Sequence, residues 1–113
     1  MKRWSFDDDA LLELVIKGKK KATASVYEEK EVPQIGEENI ITRNGIDACK
    51  IRITGYKVFK FKEAKEEDVV KEGEGNLEVW RKIHIDFFNK YHKDFNEDTL
   101  ILFEEFELVE IYE

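Results

Sequence analysis

A short stretch of this sequence combines residue types that could transfer an acyl group. Four lysines lie within residues 17–21, and two hydroxyl side chains, Thr23 and Ser25, follow at once. An amine beside a hydroxyl can act as a base that activates a nucleophile, provided that burial or neighbouring cations lower the pKa of the amine. The alternative is a solvated helix end, because lysines also favour the negative end of a helix dipole.

A second candidate segment, EGEG at residues 72–75, offers carboxylates. A carboxylate could carry protons to and from a leaving group. The segment is rich in glycine, but its acidic side chains would repel a phosphate. Its composition favours a flexible segment that presents Glu72 and Glu74.

Metal centres and the common nucleophile and phosphate motifs are not indicated. His84 and His92 are eight residues apart, and no cysteine or carboxylate pair joins them at ligand spacing. His84 falls on an apolar helix face, where a hydrogen-bonded core histidine is expected. The sequence contains no Gly-x-Ser-x-Gly elbow, Walker loop or Gly-x-Gly-x-x-Gly. We therefore expect no metal and no cofactor.

The elements around the lysines follow from local patterns. An aspartate run and spaced leucines predict a helix over about 7–17, which Gly18 ends as a cap. The segment ATASVY predicts a short strand, and NIITRNG predicts a strand that runs into a turn.

The second half of the chain mixes strands and helices. ACKIRITGYKVFKF alternates as a strand, with a bend or bulge expected at Gly55. KEAKEEDVVKEGEGN predicts an acidic helix, and residues 77–91 predict an amphipathic helix. TLILFEEFELVEIY predicts a long final strand with a break near Glu104–Glu105. This order favours an α+β fold, a small curled sheet or barrel with an N-terminal helix and two helices inserted before the last strand.

Composition limits the class of protein. The 113 residues suit one domain, 1–113, and no apolar run is long enough to span a bilayer. No secretory signal is recognisable, and the single cysteine, Cys49, sits in a pattern typical of a buried strand, so a reducing cytoplasm is expected. The net charge is −7, with about +3 on residues 1–62 and −10 on 63–113. Because long nucleic acids need a basic face, a small ligand or single nucleotide fits better.

The sequence resembles the larger bacterial branch of the ASCH domain family, which has a PUA-like β-barrel fold. The likeness covers Trp4 to about Val109 and combines LLELVIKGKKKATAS, EGEGNLEVWRKIHIDFF and ILFEEFELVE. The family motif, Gly-x-Lys with Thr, Ser or Glu three residues after the lysine, falls on Gly18, Lys20 and Thr23.

The resemblance implies candidate activities. ASCH domains were proposed to bind RNA, and one member has been described as a single-strand ribonuclease. A smaller bacterial member hydrolyses N4-acetylcytidine with a lysine, a threonine and a glutamate, which correspond to Lys20, Thr23 and Glu74, with Glu72 as the rival glutamate. Two positions depart from the family pattern, since Lys21 stands where threonine is usual and Ser25 where an arginine often lies.

Under this interpretation Lys20 would be buried, unlike its solvated neighbours, and would activate Thr23. Glu74 would pass the proton to the departing cytosine amine. The two side chains can converge only if Lys20 still belongs to the turn after Gly18, since residues three apart on a strand face opposite ways. The expected substrate-binding residues, which would stack on the base or hold an oxyanion or phosphate, are Trp4, Phe6, Lys19, Lys21, Ser25, Glu72 and Arg81.

Three functions remain open from the sequence. The first is a small amidohydrolase that acts on an acylated pyrimidine nucleoside. The second is a non-catalytic module that binds short single-stranded RNA or a modified nucleotide. A ribonuclease is the third, and the sequence offers little histidine or paired basic chemistry for it. No membrane partner is expected.

Overall fold

A curled five-stranded sheet forms the frame of the protein in the computed structural model, which describes residues 1–113. The elements in chain order are β1 (Lys2–Trp4), α1 (Asp9–Ile16), β2 (Ala22–Val26), β3 (Glu38–Arg43), β4 (Ile46–Lys60), α2 (Glu66–Val69), α3 (Leu77–Tyr91) and β5 (Leu100–Ile111). The strand order is β1-β3-β4-β5-β2. The predicted α+β fold is confirmed.

Helix α1 begins and ends where its caps predict. The Asp8 carboxylate accepts a hydrogen bond from the Ala10 N–H, which satisfies one free amide of the first turn. Gly18 follows the last turn with φ of +76°, a left-handed conformation that glycine adopts without a Cβ penalty. The N–H of Lys20 still bonds the Leu14 carbonyl, so Lys20 belongs to the turn that closes this helix.

The sheet bends where a glycine interrupts β4. The register between β4 and β5 shifts between Ile53 and Gly55, as the sequence predicted. Strand β5 runs without interruption through Glu104 and Glu105, so the predicted break there is wrong. Gly55, which has no side chain to pack, takes up the irregularity in β4 instead.

Two apolar clusters hold the sheet between the helices. The first joins α1 to β3, β4 and β5, and it includes the fully buried Cys49, a strand position as predicted. Burial raises the pKa of the Cys49 thiol to about 11. The second cluster joins α3 to β5 and to the segment before α2, around Trp80, Phe88 and Ile101.

Two elements differ from expectation. The predicted acidic helix is broken into a 3₁₀ turn at Phe61–Glu63, the one-turn α2 and a second 3₁₀ turn at Val70–Glu72. Strand β1 was not predicted, because three residues are too few to show alternation. None of the helices has the length and apolar character needed to cross a bilayer.

The sheet does not close into a complete barrel. β1 pairs only with β3, in parallel, and β2 pairs only with β5, in antiparallel fashion. β1 and β2 are therefore the two edges of the curled sheet. We call the gap between these edges the open seam.

Candidate active site

A cavity of about 240 Å³ lies where the open seam meets α3, and we call it the central cavity. Helix α3 contributes Ile83, His84 and Phe87 to its wall. The residues that the sequence predicted and that line this cavity are Trp4, Phe6, Lys20, Thr23, Ser25, Glu72 and Glu74. The fold therefore gathers side chains from four separate parts of the chain.

Lys20 is the one buried member of the lysine cluster. Its side chain is 2% exposed, and its Nζ lies 3.0 Å from Oε1 of Glu72 and 3.9 Å from Oε2 of Glu74. Lys17, Lys19 and Lys21 are exposed. The two interpretations of the lysine cluster, a solvated helix end and a catalytic amine, therefore each apply to part of it. Three of the lysines are exposed to solvent at the end of the helix, and the fourth lies in the cavity.

Lys20 and Thr23 reach the same cavity because they belong to different elements. Lys20 closes the turn after Gly18, and Thr23 is the second residue of β2. This geometry meets the condition set by their three-residue spacing. No hydrogen bond joins the two side chains, so the cavity leaves the Thr23 hydroxyl available to another group.

The glycine-rich segment is packed against the lysine turn. The N–H of Lys21 bonds the Lys71 carbonyl at 2.6 Å. A Cβ on Gly73 would lie 2.7 Å from the Lys19 carbonyl oxygen, which is closer than real Cβ contacts. Gly73 also has φ of +75°. The segment is therefore fixed by close backbone contact, and this contact brings the carboxylates on either side of Gly73 to Lys20.

Glu72 is held as a buried carboxylate. Its side chain is 1% exposed, and Oε2 accepts a hydrogen bond from the indole N–H of Trp80. Burial alone would raise the pKa of Glu72. The close approach of His84 and the charge of Lys20 outweigh burial and hold this pKa below its ordinary value. Glu72 is thus a fixed negative charge that orients Lys20.

Glu74 occupies a different environment at the same cavity. Its Oε2 is buried without a hydrogen-bond partner, 3.9 Å from Lys20 Nζ and 3.8 Å from His84 Nε2. Burial raises the pKa of Glu74, and the charge of Lys20 offsets this only in part. Of the two glutamates, Glu74 is the one whose environment favours gaining a proton.

His84 belongs to the site, although its place on an apolar helix face predicted a core role. Nδ1 donates to the Trp80 carbonyl at 2.8 Å, and Nε2 lies 3.6 Å from Oε1 of Glu72. Burial would lower the pKa of His84, but the nearby Glu72 carboxylate outweighs burial and raises it. No sequence pattern signals this contact, since Glu72 lies before α3 and only the fold brings it to His84.

The same three side chains have the donor types of a divalent metal site. Ligand atoms of Glu72, Glu74 and His84 all lie within 4.8 Å of one another. The Lys20 ammonium already neutralises Glu72 at 3.0 Å. A metal ion would have to displace this ammonium, so the arrangement favours an ion-pair network.

Other predicted residues lie away from the cavity. Lys19 and Lys21 do not line it, and Arg81 donates to the Lys62 carbonyl at 3.0 Å. Each of these three side chains therefore lacks the contact with the cavity that its predicted role requires.

Trp80 supports the site from beneath. It is fully buried and stacks on Phe61 with ring centroids 5.4 Å apart. Its indole N–H donates to Glu72, so the aromatic core positions the carboxylate that faces Lys20.

A second cavity of about 380 Å³ continues the open seam, and we call it the edge cavity. It shares Trp4, Thr23, Ala24 and Ser25 with the central cavity. Glu104 also lines it and pairs with Thr23 across β2 and β5. Burial raises the pKa of Glu104 to about 7, with Lys2 opposing and the carboxylates of residues 31 and 37 adding to the shift.

Glu104→Gln is expected to stabilise the protein at high pH. The folded state holds the Glu104 proton up to about pH 7, whereas the unfolded chain releases it near 4.5. Stability is therefore lost as the pH rises between these values, and glutamine removes that loss. We expect a gain of about 2 kcal/mol in the free energy of unfolding at pH 8 and none at pH 4, measured by urea denaturation. An equal gain at both pH values would contradict this assignment.

The family of the chain follows from comparison with known proteins. The sequence model of the ASCH domain family matches residues 2–110 of this chain. The chain belongs to the ASCH domain family. A search among curated proteins finds no match.

Solved structures of other proteins, one of them described as an ASCH domain, share this fold. A protein from Enterococcus faecalis V583 is 28% identical with a TM-score of 0.84, covering 98% of this chain and 81% of that one. The ASCH domain from Lactobacillus crispatus JV V101 is 27% identical with a TM-score of 0.83, covering 96% of this chain and 80% of that one. A protein from Pyrococcus furiosus, 19% identical with a TM-score of 0.56 and 96% coverage of both chains, shares the fold alone. The PUA-like curled sheet of this ASCH domain is thus the arrangement of its relatives.

Proposed function

We propose that this ASCH domain hydrolyses the acetamide of N4-acetylcytidine to give cytidine and acetate. The observation that carries the proposal is the central cavity, where the buried ammonium of Lys20 lies 3.9 Å from Glu74 and Thr23 lines the same wall. A nucleophile, a cation and a proton-exchanging carboxyl are the parts that amide cleavage requires.

Lys20 acts here as a cation that stabilises developing charge. An ammonium that is paired with Glu72 at 3.0 Å has no free lone pair and cannot take a proton from a hydroxyl. This departs from the base role that the sequence suggested. An ammonium fixed at the cavity wall instead stabilises the oxyanion that forms when the acetamide carbonyl is attacked.

Glu74 exchanges the proton in the first half of the reaction. In its ionised form it accepts the Thr23 hydroxyl proton as the oxygen attacks the carbonyl carbon. In its protonated form it gives that proton to N4, the C–N bond breaks, and cytidine leaves. Thr23 then carries the acetyl group as an ester. The burial that raises the pKa of Glu74 supports its role as a proton donor as well as an acceptor.

Water completes the cycle. Glu74 accepts a proton from the water that attacks the ester carbonyl, and the Lys20 ammonium again stabilises the oxyanion. The bond to the Thr23 oxygen breaks, Glu74 returns the proton to that oxygen, and acetic acid leaves and releases its own proton to solvent to give acetate. The enzyme ends in its starting state, with one amide bond cleaved and one water consumed.

The charges of the two cavities support an uncharged substrate. Lys20 and Lys2 are the only lysines that line them. The carboxylates that line them are Asp7, Glu28, Glu31, Glu72, Glu74 and Glu104. A phosphate would meet more negative than positive groups, so a free nucleoside fits better than a nucleotide or an RNA strand.

Turnover of N4-acetylcytidine tests the proposal. Purified protein is incubated with the compound, and cytidine is followed by chromatography. Thr23→Ala, Glu74→Gln and Lys20→Ala should each lower the rate by at least about 100-fold, because each removes a group that the transition state needs. Lys17→Ala, an exposed member of the same cluster, should keep the rate.

Two further results decide between mechanisms. Rapid quenching and mass spectrometry should find acetyl on the peptide that contains Thr23. If wild-type protein forms no cytidine above the Thr23→Ala baseline, the amidohydrolase proposal is wrong. Binding of short single-stranded RNA that Thr23→Ala leaves intact would then favour the binding module.

A further inference from the structure

The edge of β2 presents backbone groups to the open seam. In an antiparallel pair, residues alternate between facing the partner strand with both N–H and C=O and facing away with both. The backbone carbonyl of Lys21 accepts a hydrogen bond from the Phe106 N–H at 3.0 Å, and the Tyr27 N–H donates to the Leu100 carbonyl at 2.9 Å. Odd-numbered residues of this strand therefore face β5. Ala24 is even-numbered, so its N–H and C=O both face away from β5.

The side chain of Ala24 leaves these backbone groups accessible. Its methyl group packs against the aromatic cluster around Phe61 and Trp80, on the side of α3. Ala24 nevertheless lines both the central cavity and the edge cavity. No hydrogen bond from another element reaches its N–H or C=O. The peptide groups of Ala24 are thus a free donor and a free acceptor on one cavity wall.

The other edge of the sheet provides a flat side chain. Trp4, on β1, lines the same two cavities as Ala24. Its indole N–H donates to Oδ1 of Asn39 at 3.0 Å, and its ring meets Phe6 edge-on at a centroid distance of 5.0 Å. These contacts fix the indole at the seam, where a planar ligand can lie between the two sheet edges.

We infer that the backbone N–H and C=O of Ala24 read the pyrimidine edge of the substrate, with the N–H donating to N3 and the C=O accepting from the N4 amide. This inference rests on the proposed function and adds the atoms that select the base. A neighbouring donor and acceptor on one extended residue match the neighbouring acceptor and donor of cytosine. A uracil ring has a donor at N3 and an acceptor at O4, so it would oppose both groups.

The match also orients the reacting bond. Ala24 directly follows Thr23, and both residues line the central cavity together with Lys20 and Glu74. A base held by the Ala24 peptide therefore places its N4 substituent beside the residues that would cleave it. Specificity and chemistry would then depend on adjacent residues of one edge strand.

Binding of cytidine and of 3-deazacytidine, which has a C–H in place of N3, tests the inference. Wild-type protein should bind cytidine about 10-fold more tightly in calorimetry, because the analogue leaves the Ala24 N–H without an acceptor. Ala24→Pro removes that N–H at an edge position where proline does not break the sheet. The variant should bind both nucleosides equally. Val26→Pro, which removes the next N–H that faces away from β5, should keep the preference.

An amide spectrum supplies a second measurement that does not depend on the variants folding. The Ala24 N–H resonance should shift downfield with cytidine and not with 3-deazacytidine. Equal binding of the two nucleosides by wild-type protein, or an unchanged preference in Ala24→Pro, overturns the inference. If cytidine binds with the preference but N4-acetylcytidine is not cleaved, the proposed reaction fails and the recognition stands. If N4-acetylcytidine is cleaved but cytidine binds no more tightly than 3-deazacytidine, the proposed reaction stands and recognition by Ala24 is overturned.

Discussion

Lys20→Met should lower the free energy of unfolding by about 3 kcal/mol, because it removes the cation from a buried ion pair and leaves Glu72 charged in an apolar site. The pair is 3.0 Å apart, and both side chains are almost completely buried. Urea denaturation followed by circular dichroism measures the change. Lys17→Met, at an exposed position of the same cluster, should alter stability by no more than about 0.5 kcal/mol.

The loss in Lys20→Met should also depend on pH. Contact with Glu72 raises the pKa of His84, so its charge contributes stability below the ordinary histidine pKa and this contribution is lost as the pH rises through the folded-state value. The imidazolium then compensates for the missing ammonium below the ordinary histidine pKa, and the compensation is lost as the pH rises through the folded-state pKa of His84. Adding Glu72→Gln should restore part of the stability at pH 9. If Lys20→Met lowers the free energy of unfolding no more than Lys17→Met does, the assignment of a buried Lys20–Glu72 ion pair is wrong.

Gly73→Ala should destabilise the protein more than a backbone argument alone predicts. The left-handed conformation at φ of +75° costs about 1–2 kcal/mol for a residue with a Cβ. The new methyl carbon would also lie 2.7 Å from the carbonyl oxygen of Lys19, so the backbones of the two segments must separate. We expect a total loss of about 3 kcal/mol in the free energy of unfolding. Any activity of the site should fall as well, because the carboxylates beside Gly73 would move away from Lys20.

Gly18→Ala is the matched control for this change. Gly18 has nearly the same φ, +76°, but a Cβ there would meet nothing within 4 Å. It should therefore show only the cost of the left-handed conformation, about 1–2 kcal/mol, with thermal denaturation as the measurement. Equal losses in the two variants would mean that the contact between Gly73 and Lys19 has no energetic importance.

The fold could be predicted where a pattern is long or a cap is explicit. The periodicity of residues 77–91 predicted α3 at its observed bounds, and Gly55 marked the bend of β4. The acidic segment before α3 was harder, because its charged residues favour a helix locally while Val69 and Glu72 must turn inward to reach the core and Lys20. That inward packing replaces one helix by short turns, and it depends on contacts distant in sequence.

The site was predictable only in its motif residues. Lys20, Thr23 and the two glutamates could be named, yet their different environments could not. Glu72 is fixed by Trp80 and His84, and Glu74 has no hydrogen bond to Oε2, so their pKa values shift in opposite directions. The structure has Lys20 buried and its neighbours exposed, a difference that the family resemblance implied and the spacing of the lysines did not. Sequence spacing carries no information about this difference, which arises from the close approach of Gly73 to the lysine turn.

The open seam couples occupancy of the cavities to the melting of the whole domain. β1 is three residues long and pairs as a strand with β3 alone, so a molecule that contacts both Trp4 and Ala24 would join two sheet edges that the backbone leaves unpaired. By mass action, a ligand present at 100 times its dissociation constant stabilises the native state by about 2.7 kcal/mol. In a domain of this size that gain corresponds to a rise of about 10 °C in the melting midpoint. Thermal shift can therefore rank nucleosides, nucleobases and their acylated forms as ligands, whatever reaction follows their binding.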